Sequence, residues 1–247
     1  MIDVAEPTEE YTAARYVRDA VAAIEGIYER RRWPILVGGT GLYYRALVRG
    51  LFPGPGADAG MRARLQNIVN RRGVEFLHRM LERVDVESAR RILPRDRKRM
   101  VRALEVYFLT GKPLTEHFAS TVSPLGNFKV VGVALSLPAP VIAARVQARV
   151  DRQFEQGLLD EIRGLLAEGV PETARPFGGL VYRQALEHLH GLRDEAETRA
   201  LITRENRHYA RRQLIWFRKE PNLVWLQTSG ENPETVTAVE AMLGSRS

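Results

Sequence analysis

Gly38, Gly39, Thr40 and Gly41 follow one another in the stretch of this sequence best suited to chemistry, because glycines let a backbone approach a ligand closely. An apolar run at residues 34–37 precedes them and an apolar-periodic segment follows, which predicts a buried strand, a tight turn and a helix start. The Thr40 hydroxyl would lie at the carboxyl end of a sheet strand, where open α/β proteins place their sites. A turn with a purely structural role fits the same spacing, because short glycine motifs are weakly specific.

Arginines recur on one face of a helix predicted over residues 194–218. At about 100° per residue, four of them fall within an arc of roughly 60°: Arg204, Arg207, Arg211 and Arg218, which we call the arginine ladder. Ile202, Tyr209 and Trp216 fall on the opposite side and predict a core-facing surface. Few acids are spaced to pair with the ladder, so we interpret it as a phosphate-binding face. A solvated helix surface is the alternative.

A second basic stripe lies in a helical segment near residue 100. Its members again share one arc of the helix: Arg95, Lys98, Arg99 and Arg102. Two such stripes on different elements can follow a nucleic-acid backbone, although solvated stripes would have the same pattern.

Composition narrows the class of protein. The 247 residues carry a net charge of +7, and only four of the 37 basic residues are lysines, which suits a phosphorylated partner. Cysteine is absent, which excludes disulfides, iron–sulfur clusters and thiolate zinc sites, and the five histidines are scattered, so no protein metal site is predicted. The sequence has neither a membrane-spanning run nor a signal peptide, and we expect a cytoplasmic protein.

The elements that must position these residues are mostly helices. Helices are predicted over residues 11–32, throughout 58–122, and at 139–156, 158–168, 181–190 and 194–218, and further strands at 128–137 and 222–226. A proline- and glycine-rich linker at 52–58 marks a boundary. We therefore predict an α/β catalytic core at residues 1–52 and 123–247, interrupted by a basic helical insertion at 53–122. Three strands make a thin parallel sheet, so the core is incomplete.

Five stretches, in order, resemble those of the bacterial tRNA dimethylallyltransferases, also called tRNA isopentenyltransferases. They are PILVGGTGLY at 34–43, RKRMVRALEVY with TGKP at 97–113, RVDRQFEQGLLDEI at 149–162, VYRQ at 181–184 and YARRQLIWFR at 209–218. The resemblance implies a P-loop-type α/β core with a helical insertion that binds tRNA. It implies transfer of a dimethylallyl group from dimethylallyl diphosphate to N6 of adenosine 37 of tRNA.

The resemblance also implies roles for individual residues. Thr40 would contact the target nucleotide beside the turn glycines Gly38, Gly39 and Gly41. The tRNA would be contacted by Arg62, Lys98, Arg99, Arg102, Tyr182, Arg183, Arg211, Arg212, Gln213 and Arg218. Mg²⁺ would assist the diphosphate leaving group. We expect a monomer whose partners are the tRNA anticodon stem-loop and dimethylallyl diphosphate, without a membrane.

The sequence departs from the family pattern at several positions. It has no Gly-x-x-x-x-Gly-Lys-Ser/Thr loop and no Asp-Ser-x-Gln stretch, so we interpret it as lacking the N-terminal P-loop portion and expect these 247 residues alone to be inactive. Gly178 replaces a usual arginine, for which Arg175 could substitute, and Val181 replaces a usual glycine. A non-catalytic tRNA-binding remnant is the alternative function. An enzyme acting on free adenine nucleotides fits the basic insertion less well.

Overall fold

The computed structural model describes residues 1–52 and 54–244, so Pro53 of the predicted linker lies outside the described residues. The chain divides into two compact units: unit 1 is Met1–Tyr44 with Phe128–Ser247, and unit 2 is Arg45–Asn127.

Unit 1 opens with helix α1 (Ala13–Glu29), within the range predicted for it. The side-chain oxygen of Thr12 accepts the backbone N–H of Arg15 at 3.1 Å and so caps the first turn, as a threonine at a helix start does. Helix α2 (Gly41–Arg49) starts immediately after the glycine turn and continues into unit 2.

The regular elements described in unit 2 are helices, as the sequence predicts for residues 58–122. Its helices are α3 (Ala59–Arg72), α4 (Val74–Val84), α5 (Val86–Arg91), α6 (Arg97–Thr110) and α7 (Leu114–Ala119). Each of α3, α5 and α6 begins at an aspartate whose carboxylate accepts a backbone N–H of the first turn. A buried cluster that includes Leu65, Leu77, Leu81, Met100 and Leu104 forms its core.

The rest of unit 1 is an α/β arrangement. Its elements are β1 (Gly132–Leu135), α8 (Ala139–Glu155), α9 (Leu158–Ala167), a single 3-10 turn (Arg175–Gly178), α10 (Tyr182–Leu189), α11 (Glu195–Phe217), β2 (Leu223–Leu226) and α12 (Pro233–Leu243). The two strands pair in parallel, with Gly132 opposite Leu223 and Leu135 opposite Leu226. The predicted α/β fold class is therefore confirmed, with a parallel sheet of two strands among the described residues where three were predicted.

The predicted strand before the glycine turn is wrong in this structure. Residues 35–37 adopt no strand pairing in the described part of the chain, and Ile35 and Val37 are 77% and 88% exposed. An apolar run becomes a buried strand only when a neighbouring strand and a covering layer are present, and β1 and β2 pair with each other instead. Helix α12 was not predicted.

Candidate nucleic-acid interface

The glycine turn joins an extended segment to helix α2. The Tyr44 N–H donates to the Thr40 carbonyl at 3.1 Å, so Thr40 lies at the first turn of the helix, and its side chain is exposed. Tyr43 stacks on Tyr16 of α1 with ring centroids 4.2 Å apart, and Tyr44 meets Trp216 of α11 edge-on. The start of α2 is thereby held between α1 and α11.

Two of the turn glycines lie in close contact with α11. The Gln213 side-chain Nε2 donates to the Gly39 carbonyl at 2.9 Å, and a Cβ at Gly39 would lie only 2.3 Å from that nitrogen. A Cβ at Gly41 would lie 2.3 Å from the Trp216 ring. At Gly38 a Cβ would have no described atom within 4 Å, so that position remains open.

The arginine ladder is exposed along α11, as predicted. Arg204 approaches Glu205 at 3.7 Å, whereas Arg207, Arg211 and Arg218 have no ion pair with an acid among the described residues. A row of unpaired guanidinium groups repels itself unless an anion lies over it. The surface therefore has the charge arrangement that a polyanion neutralises.

Two residues flanking the ladder take different positions from those expected. Arg212 lies over the Tyr209 ring, with its guanidinium carbon 5.7 Å from the ring centroid. Tyr209 is 39% exposed, so its prediction as a core-facing residue is wrong, whereas Ile202 is fully buried as predicted. The Tyr209 ring thus supports the Arg212 guanidinium from below through a cation–π contact.

A shallow depression of about 470 Å³ continues the ladder toward the start of α11. Its walls come from α8 and α11: Gln147, Ala200, Thr203, Arg204, Arg207 and His208. Arg204 and Arg207 give this surface its positive charge. Gln147 is neutral, and its Nε2 donates to Asp151 at 3.2 Å to each carboxylate oxygen.

Tyr182 and Arg183, at the start of α10, differ in accessibility. The Tyr182 hydroxyl donates to Glu161 at 2.6 Å, and burial together with this carboxylate raises the pKa of Tyr182 to about 12. Arg183 is exposed. Just before them, Val181 has φ +79° and ψ −61°, a conformation that explains why the family pattern has glycine at this position. Arg175 pairs with Glu10.

In unit 2, residues of the second basic stripe differ in how far they are engaged by other residues. Lys98 is exposed on α6, and Arg99 is 71% exposed beside Asp96 at 3.4 Å. Arg102 instead donates to Glu105 at 2.7 Å and to the Pro55 carbonyl at 2.8 Å.

Arg62 donates to the same carboxylate, at 2.7 Å and 3.1 Å. Glu105 is fully buried, and although burial raises its pKa, the hydrogen bonds from Arg62, Arg102 and the Asp58 N–H lower the pKa overall. Two predicted tRNA contacts, Arg62 and Arg102, thus hold a buried acid. An acid three residues after Arg102, among apolar neighbours, was the sequence signal for this cluster.

The described residues supply no ready metal centre. Across residues 1–52 and 54–244, no three histidine, cysteine, aspartate or glutamate side chains converge as metal ligands would. No helix within the same ranges is both long and apolar enough to cross a membrane.

Comparison with known proteins identifies relatives over almost the whole chain. The family model described as IPP transferase matches residues 1–220. The tRNA dimethylallyltransferase 1 of Trichlorobacter lovleyi is 41% identical over 98% of this chain and 79% of its own length. The tRNA dimethylallyltransferase of Solibacter usitatus is 42% identical over 95% of this chain and 76% of its own length.

Solved structures agree with the sequence relatives. The tRNA isopentenylpyrophosphate transferase of Bacillus halodurans superposes with a TM-score of 0.67 at 31% identity, covering 98% of this chain and 76% of its own. A eukaryotic dimethylallyltransferase acting on tRNA has the same fold, with a TM-score of 0.73 at 22% identity, 98% of this chain and 65% of its own being covered.

Proposed function

The chain belongs to the IPP transferase family and is a prenyltransferase that acts on tRNA, and we propose how its residues hold that tRNA. The reaction we propose moves a dimethylallyl group from dimethylallyl diphosphate to N6 of adenosine 37. The observation that carries the proposal is the row of unpaired arginines on α11, the same helix that contacts the turn bearing Thr40.

The ladder suits a nucleic-acid backbone rather than a single phosphate. From Arg204 to Arg218 the helix rises about 21 Å at ~1.5 Å per residue. A mononucleotide is too short to neutralise charges spread over this distance. Guanidinium groups bind phosphate oxygens through paired N–H donors, so Arg211, Arg212 and Arg218 are assigned to the RNA backbone.

Thr40 is assigned to the target nucleotide. An exocyclic adenine amine is a weak nucleophile, so transfer to N6 depends on accurate positioning of the base. The base must also leave its stack to be reached. The exposed Thr40 hydroxyl can both donate and accept a hydrogen bond, and the open position at Gly38 leaves the adjacent backbone accessible.

The remaining predicted tRNA contacts differ in whether other residues of the protein already bind them. Lys98, Arg99 and Arg183 are exposed and are assigned to phosphates. Arg62 and Arg102 hold Glu105 and, through it, the segment before α3, so they are assigned to positioning that segment. Tyr182, whose hydroxyl is committed to Glu161, can offer its ring to the RNA.

The family implies dimethylallyl diphosphate as the donor of the transferred group. Transfer from a diphosphate donor is commonly assisted by a divalent metal such as Mg²⁺, which proteins bind through few carboxylates and the substrate's own phosphates. The described residues do not by themselves form such a site. A monomer in the cytoplasm completes the proposal.

The salt dependence of binding tests the role of the ladder. Binding of an anticodon stem-loop RNA to the 247-residue chain is measured across a range of salt concentrations. The Arg211→Ala/Arg218→Ala double variant should bind more weakly, and its slope of log K against log salt should be shallower by about 1.4–1.8, since each lost phosphate contact removes ~0.7–0.9.

The matched control removes two arginines away from the ladder. Arg145 and Arg163 are exposed and pair with Glu231 and Asp160, so Arg145→Ala/Arg163→Ala lowers the net charge equally. If both double variants change the slope alike, the effect is one of total charge and the ladder contacts no phosphate.

A further inference from the structure

We propose that Gln213 is a positioning residue that fixes the turn carrying Thr40, and that it does not contact tRNA. The proposal rests on the function proposed above, because it assigns the turn to the target nucleotide. It reverses the role of tRNA contact that the family resemblance implies for Gln213.

The direction of the side chain is the first argument. At about 100° per residue, Gln213 lies roughly 200° from Arg211 and 140° from Arg218 around α11, so it points away from the ladder. It is half-buried, and its Nε2 donates to the Gly39 carbonyl at 2.9 Å. The amide is therefore engaged with the turn on the side opposite the exposed arginines.

The fit between the turn and the helix is the second argument. A methyl group at Gly39 would meet Gln213 Nε2 at 2.3 Å, and one at Gly41 would meet the Trp216 ring at 2.3 Å. Real Cβ atoms do not approach other atoms so closely, so at Gly41 the packed Trp216 ring leaves no space for a side chain. At Gly39 a methyl group would instead displace the end of the Gln213 side chain and break its hydrogen bond. Thr40 lies between these two contact points.

The position of Thr40 therefore depends on both anchors. On the Gly41 side the anchor is aromatic packing, where Trp216 also meets Tyr44. On the Gly39 side the anchor is the hydrogen bond from Gln213. Because misplacement by about 1 Å can cost ~10²-fold in a reaction, loss of this bond should affect placement of the base more than affinity for the RNA.

The test replaces Gln213 by methionine, which has similar size and no charge but lacks the N–H donor. The 247-residue chain is mixed with an anticodon stem-loop carrying 2-aminopurine at the target position, and affinity, salt slope and base fluorescence are measured. Hydrogen exchange of the amides at residues 38–44 is followed without RNA. Gln213→Met should change the affinity for the stem-loop by less than about twofold and leave the salt slope unaltered. It should reduce the fluorescence change and accelerate amide exchange about tenfold.

A double variant separates loss of this one bond from a general loss of structure. Gly39→Ala alone should accelerate exchange and reduce the fluorescence change, because its methyl group meets Nε2. Gly39→Ala/Gln213→Ala lacks the same hydrogen bond as each single variant, so its effects should match those of Gln213→Met and not the sum of the two. Gln156→Met, at an exposed glutamine after α8, controls for the substitution itself and should change nothing.

The outcomes that overturn the inference are distinct from failure of the proposed function. If Gln213→Met weakens binding at least fivefold and makes the salt slope shallower, as Arg211→Ala should, Gln213 contacts RNA. If exchange at residues 38–44 is unchanged in Gln213→Met, or the effects of Gly39→Ala and Gln213→Ala add in the double variant, Gln213 does not fix the turn through this bond. If the unaltered chain fails to bind the stem-loop, the proposed function fails, whatever the exchange data show.

Discussion

Val181 has a backbone conformation that valine adopts at a cost. At φ +79° and ψ −61° its β-branched side chain is strained by about 1–3 kcal/mol, yet it is buried in the core of unit 1. Glycine normally destabilises a position relative to alanine by ~0.5–1 kcal/mol, because it gives the unfolded chain more freedom. At Val181 the backbone strain should reverse that order.

We expect Val181→Gly to be more stable than Val181→Ala by about 1 kcal/mol, since only glycine relieves the strain. Val150, in the same buried cluster but inside α8, provides the control, where glycine should be less stable than alanine by ~1 kcal/mol. Urea unfolding of the four variants, followed by tryptophan fluorescence, measures both differences. The same order at both positions would show that Val181 is unstrained.

Residue types alone could indicate the ladder but not the contacts beneath it. The exposed arginines of α11 follow from a wheel projection, because a helix fixes the direction of each side chain. The hydrogen bond from Gln213 to Gly39 joins residues 174 positions apart and depends on tertiary packing. The pairing of Arg62 with Glu105 joins residues 43 positions apart, so the resemblance implied an RNA contact for Arg62 without revealing this partner.

Helix α11 is capped at its start by its own residues, whereas the arginines proposed to bind RNA continue to its other end. Asp194 accepts the Glu197 N–H at 2.7 Å, and the Glu197 side chain accepts the Asp194 N–H, so the two residues cap the helix reciprocally. Arg211 lies about 25 Å along the helix axis from this cap, at ~1.5 Å per residue. Capping and RNA binding should therefore be separable.

Asp194→Ala should lower the free energy of unfolding by about 1 kcal/mol and leave the salt slope of stem-loop binding unchanged. Asp194→Asn keeps an oxygen that can accept the Glu197 N–H and should cost much less. Denaturant unfolding and the salt titration check the two expectations separately. A shallower salt slope for Asp194→Ala would mean that the start of α11 contributes to the RNA surface.

Elements differed in how well the sequence predicted them for a physical reason. Helices α1, α8, α9, α10 and α11 fall within two or three residues of their predicted ends, because their periodicity and caps are local. The segment at residues 35–37 has the composition of a buried strand but lacks a paired neighbour in the described structure. A strand is completed by other parts of a fold, so its sequence predicts it less securely.

At the scale of the molecule, the carboxyl groups with lowered pKa values lie in one unit and the tryptophans in the other. Asp85 and Glu105, both in unit 2, have lowered pKa values. For each, burial raises the pKa, and hydrogen bonds to the carboxylate more than offset this effect. Asp85 accepts from Ser88 and Thr115, at 2.9 Å to each, and so links α5 to α7. All three tryptophans, Trp33, Trp216 and Trp225, lie in unit 1.

This distribution predicts that acid destabilises unit 2 before unit 1. A carboxyl group whose pKa is lowered by folding stabilises the folded state above its unfolded pKa, about 3.9 for Asp and 4.3 for Glu, and the contribution is lost as pH falls through the folded value. Below about pH 4, circular dichroism should therefore report helix loss before tryptophan fluorescence changes. Glu105→Gln should lower the free energy of unfolding by about 1.5–3 kcal/mol at neutral pH and reduce the pH separation between the two signals. Glu116→Gln, an exposed control, should change neither quantity. Coincident acid transitions in the unaltered chain would mean that these carboxylates do not set its acid stability.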